Sequence, residues 1–87
     1  MRMAAKDIWS EKVLVRIGKR GLTPQVVEEI KRHLKERKII KVRLLKPFLE
    51  REDQDRRKIA ELIAREVGAE LVGIRGHVFV LRKVKRR

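Results

Sequence analysis

The segment Ile39-Ile40-Lys41-Val42-Arg43-Leu44-Leu45 alternates apolar and basic side chains. Successive side chains of a strand point to opposite faces, so Ile40, Val42 and Leu44 share one face and Lys41 and Arg43 the other. A parallel strand covered on both sides reads as a continuous apolar run instead. The alternation therefore predicts a two-layer domain. Helices cover one face of its sheet, and the second face is basic and open.

Two amphipathic stretches supply the helical layer. The first runs from Thr23 to about Arg37, with Val26, Val27, Ile30 and Leu34 as its apolar stripe. Thr23 suits the N-cap and Pro24 the first helical position. The second runs from about Asp53 to Val67 on Ile59, Leu62, Ile63 and Val67, and Gly68 is placed to end it. Three more strands are expected at Lys12 to Ile17, Glu70 to Ile74 and His77 to Arg82. In the first of them Val13, Val15 and Ile17 fall on one face, and Leu14 and Arg16 on the other. Arg75-Gly76 reads as a tight hairpin with a left-handed glycine, and Val72, Ile74, Phe79 and Leu81 are expected toward the helices. Between Lys46 and Asp53 lies a connection whose Phe48 is expected at the core edge.

The order is β-α-β-α-β-β. Right-handed crossovers make the first three strands parallel and set the fourth antiparallel to them. The predicted fold is an α/β two-layer sandwich with a four-stranded mixed sheet. Its single domain is expected over 12–83, between a flexible segment at 1–11 and a basic tail at 84–87.

Charge bears on the partner. The 87 residues carry 25 basic and 12 acidic side chains, a formal net charge of +13. Such an excess predicts a polyanionic partner. It is unevenly placed: residues 12–46 are net +9 and 75–87 net +6, whereas 47–74 are net −2. A molecule with two different sides is implied.

The strongest candidate for an anion site is Gly18-Lys19-Arg20-Gly21, between the first strand and the first helix. Glycine adopts backbone angles that other residues resist and lets another backbone come close. The helix N-terminus beyond it presents unpaired N–H groups that favour anions. Lys19 and Arg20 add full positive charge, and the whole is shaped for a phosphodiester backbone. Arg16, Lys41 and Arg43 extend the charge over the open sheet face. Lys31, with Lys35 and Lys38, forms a basic helix edge that is either a solvated face favoured by the C-terminal dipole or a border to the loop. Arg82 completes the candidate set.

Other chemistries find little support. There is no cysteine, and Ser10 and Thr23 are the only hydroxyls. His33 and His77 lie far apart in sequence. Glu50, Glu52, Asp53 and Asp55 crowd the start of the second helix, where carboxylates ordinarily cap and oppose the dipole. No enzyme, metal or cofactor is expected. No apolar run approaches the ~20 residues needed to span a membrane, and no signal-peptide pattern is present. The expectation is a soluble, cytoplasmic monomer. Trp9, Phe48 and Phe79 are the only aromatics, too few for a sheet that stacks bases on exposed rings. A small basic DNA-binding chromatin protein is the alternative that composition leaves open.

Taken together, Gly18-Lys19-Arg20-Gly21-Leu22-Thr23 with its helix, Ile39-Ile40-Lys41-Val42, Ala64-Arg65-Glu66-Val67-Gly68-Ala69, Ile74-Arg75-Gly76 and Val80-Leu81 resemble the CRM domain (chloroplast RNA splicing and ribosome maturation) over about Lys12 to Lys83. Its stand-alone members are called YhbY-like. The resemblance implies an RNA-binding fold similar to the C-terminal domain of translation initiation factor three. It also implies a G-x-x-G loop like that of KH domains, which clamps backbone nucleotides, and a part in maturation of the large ribosomal subunit. Bacterial members carry a longer helix before the first strand than Met1 to Glu11 provides.

Overall fold

The computed structural model describes residues 8, 9, 11–46 and 55–84. Six elements follow in the expected order: β1 (Val13–Ile17), α1 (Pro24–Arg37), β2 (Ile39–Leu44), α2 (Arg56–Val67), β3 (Ala69–Arg75) and β4 (Val78–Lys83). The four strands form one sheet ordered β1-β2-β4-β3. β1 and β2 pair in parallel, and β4 pairs antiparallel with both β2 and β3. β1, β2 and β3 thus run the same way, as expected, although β4 is inserted between β2 and β3.

Both helices lie on one face of this sheet. Ile30 and Leu34 of α1 and Ile59, Ile63 and Val67 of α2 meet Ile17, Ile40, Val42, Leu44, Phe79 and Leu81 in one core. Full burial of each such side chain contributes roughly 1.5–3 kcal/mol. Thr23 caps α1 by accepting from the Val26 N–H at 3.1 Å. Asp55 caps α2 by accepting from the N–H groups of Arg57 and Lys58 at 2.6 and 3.2 Å. Gly68 ends α2 in the left-handed region, whereas α1 ends there on a non-glycine, Lys38, at φ 72°. The start of α2 expected near Asp53, and the place expected for Phe48, fall outside the described residues.

Three facing assignments need correction. The register of β1 shifts between Val13 and Val15, because Val13 pairs with Lys41 and Val15 with Val42. Leu14 consequently packs on the core, and Val13 takes the other face. A second shift, between Leu71 and Gly73, sends Leu71 to the core in place of Val72. Each bulge adds one residue and so inverts the alternation on one side of it. Leu62 is half exposed, at 50%. Ala60 and Ala64 are buried on the other flank of Ile63 and rotate the buried stripe away from it.

The second face is not wholly open. Ile8 is buried, and the Glu11 N–H closes a turn on its carbonyl at 3.0 Å. Trp9 lies against Gly73, where an added Cβ would meet the ring at 3.4 Å. Val80 is fully buried although its β2 partner is Lys41, on the face away from the helices. Ile8 and Trp9, within the segment 1–11 expected to be flexible, thus pack on this face.

Candidate nucleic-acid interface

The carboxyl ends of β1 and β2, the start of both helices and the β3–β4 turn all meet at one end of the sheet. Gly18 to Gly21 forms a tight turn there, with the Gly21 N–H donating to the Gly18 carbonyl at 2.9 Å. The two glycines serve different needs. Gly21 sits at φ 74°, a conformation costing an L side chain roughly 1–2 kcal/mol. At Gly18 a Cβ would come within 3.1 Å of the Leu45 side chain. Lys19 and Arg20 occupy the exposed tip.

Strand register builds a row of arginines beside this turn. Arg16 pairs with Arg43, Arg43 with Val78, and Val78 with Arg75. Paired residues share a face, so the three arginines lie on the side away from the helices, and all three are exposed. Strands are spaced ~4.8 Å apart, so the row spans roughly 15 Å. Arg75 also lies over the Trp9 ring, 4.6 Å from its centroid, a favourable cation–π placement. The end is braced from below. Arg56 donates to the Gly76 carbonyl at 2.7 Å, and the Leu44 N–H donates to that of His77 at 2.7 Å. The left-handed glycine of the hairpin is confirmed at Gly76, φ 59°. The two-residue loop is Gly76-His77 rather than Arg75-Gly76.

Arg16, Gly18, Lys19, Arg20, Gly21 and Arg43 are thus brought together. Three other candidates are not. Lys41 is buried at 9% exposure, and its ammonium donates to the carbonyls of Trp9 and Glu11 at 2.7 and 2.9 Å. It holds the chain that precedes β1 rather than facing solvent. Arg82 lies toward the opposite end, beside Ile39, and donates to the Glu70 carboxylate at 2.6 and 3.2 Å. Lys31 lines a different cleft with Lys35, near the last turn of α1. The basic helix edge therefore does not border the loop. Arg75 was missed, because from sequence it reads as a turn residue; only the hairpin register aligns it with Arg16 and Arg43. Among the described residues no group of His, Asp and Glu side chains assembles as a metal site.

Comparison with known proteins fits this architecture. The model of the CRS1/YhbY (CRM) domain matches residues 1–83. The chain belongs to that family. The match takes in Ile8 and Trp9, consistent with their packing as part of the CRM domain. A curated relative, the probable RNA-binding protein MJ0652 of Methanocaldococcus jannaschii, is 43% identical over 68 residues. The alignment covers 78% of this chain and 48% of the relative, so the CRM domain here spans about half the relative's length. The solution structure of SAV1595 from Staphylococcus aureus has the same fold, with a TM-score of 0.73 at 23% identity, over 94% of this chain and 81% of that one.

Proposed function

We propose that this CRM domain binds structured RNA by its phosphodiester backbone, through the Gly18–Gly21 turn and the arginine row beside it. The observation that carries the reading is the register that aligns Arg16, Arg43 and Arg75 next to the turn. Guanidinium groups present planar forks of donors that match phosphate oxygens. The glycines let the turn close tightly against Leu45, and Lys19 and Arg20 stand exposed at its tip. Family membership and the name of the archaeal relative support RNA as the polyanion. The choice of ribosomal RNA, during large-subunit maturation, rests on the family resemblance and not on the geometry.

Equilibrium competition tests this reading. Structured ribosomal RNA should displace bound probe at concentrations well below those of duplex DNA of equal length. With about five to seven phosphates engaged in single-stranded segments, at about −0.7 per phosphate, log K should fall with log salt at a slope of roughly −3.5 to −5. A slope near zero, or preference for the DNA, would overturn it.

A further inference from the structure

The opposite end of the molecule carries a second basic feature. α1 and α2 both run from the turn end toward the end where β3 begins and β4 finishes. Between their last turns lies an open cleft of about 760 Å³. Lys31, Lys35, Arg65 and Lys83 line it, against a single carboxylate among the described residues, Glu66. Its floor is apolar, from Leu34, Val67 and Ala69, and Val84 stands 45% exposed at the rim.

Basic residues near helix C-termini ordinarily answer the dipole, and that accounts for Lys35 and Arg65. It does not account for the other two. Lys31 stands more than a turn before the end of α1, beyond the range of the dipole effect. Lys83 belongs to a strand. Lys31 has Glu28 only at 4.0 Å, with both side chains well exposed, a pair worth little in water. The two helix ends add roughly half a negative charge each, which four full cations exceed.

We propose that this cleft is a second phosphodiester-binding site, which grips another stretch of the RNA bound at the Gly18–Gly21 end. The proposal rests on the RNA-binding reading above. The cationic rim holds phosphates, and the apolar floor receives the sugars or base edges between them. β2 has six residues, so the two sites are separated by roughly 20 Å along the sheet and lie on different faces. One phosphate cannot satisfy both. The domain therefore engages two segments of a folded RNA, or one segment led around its edge, which favours structured over short RNA.

The test compares four proteins on one structured ribosomal RNA: the parent, Lys35→Gln with Lys83→Gln, Lys19→Asp with Arg20→Asp, and all four substitutions together. Lys35 and Lys83 are exposed, so their neutralisation leaves the core intact, and melting curves verify it; Arg65→Gln replaces Lys83→Gln if the sheet end loosens. The cleft variant should bind about tenfold or more weakly, with the salt slope less steep by about 1.4 for two lost phosphate contacts. Its loss and that of the loop variant should add in free energy, as for distant sites. Affinity within twofold of the parent and an unchanged slope for the cleft variant overturn the proposal, whatever the loop variant does. An occupant of another class, such as an acidic protein segment, gives that same result. Weakening by the cleft variant with none by the loop variant instead overturns the assignment of the loop as the primary site and leaves the cleft standing.

Discussion

The Lys41 ammonium lies 2.7 Å from the Trp9 carbonyl oxygen, on a strand position that alternation alone assigns to the open basic face. A buried charge is tolerated only where its donors are satisfied, and the Glu11 carbonyl satisfies a second one. Lys41 thus fastens the segment before β1 across the sheet. Trp9 comes to rest over Gly73, and Arg75 is laid on its ring.

Lys41→Met keeps the length of the side chain and removes its donors. It should cost about 1–3 kcal/mol, and each kcal/mol lowers Tm by roughly 4–8 °C in a domain of this size. Trp9 is the only tryptophan, so its emission should shift to the red as the segment loosens. An unchanged Tm together with an unchanged spectrum would remove Lys41 from this role.

Arg43 and Arg82 are both exposed sheet arginines, but among the described residues only Arg82 is engaged by a carboxylate, that of Glu70. Arg43→Ala should weaken RNA binding about tenfold, the loss of a charge-assisted contact of about 1.5 kcal/mol. Arg82→Ala should change it less than threefold. Titration of both variants against one RNA at fixed salt decides the order.

The two loop glycines should respond differently to alanine. Gly21→Ala meets φ 74° and should cost roughly 1–2 kcal/mol. Gly18→Ala meets only the movable end of the Leu45 side chain, with no positive-φ penalty, and should cost less than Gly21→Ala. Denaturant midpoints of the two variants give the comparison.

Lys38 ends α1 at φ 72°, where glycine is the usual residue. Lys38→Gly should therefore stabilise the domain by about 0.5–1 kcal/mol. Thermal unfolding would show a rise in Tm, and a fall would mean that the lysine side chain supports the turn.

Much of this fold could be read from the chain because its signals are local. The strand at Ile39 to Leu44, the Thr23-Pro24 cap and the stop at Gly68 each rest on signals within a few residues, and each element stands where it was expected. Failures came where a distant partner decides. Nothing in Lys12 to Ile17 marks the irregularity that sends Leu14 inward, since the bulge is set by pairing with β2. Lys41 reads as a surface cation until the chain of Trp9 and Glu11 covers it. Arg75 joins Arg16 and Arg43 only through two successive registers, of β4 on β2 and of β3 on β4. The loop glycines and its two cations, contiguous in sequence, required no such information.

The most direct test of the account is the affinity of Lys19→Asp with Arg20→Asp for structured ribosomal RNA, measured beside its melting temperature. Both side chains are exposed on a turn whose backbone bond runs from Gly21 to Gly18, so the core should survive. The account predicts a Tm close to that of the parent and binding weaker by about a hundredfold or more, as two phosphate-facing cations become anions. A folded variant that binds within about threefold of the parent would contradict it.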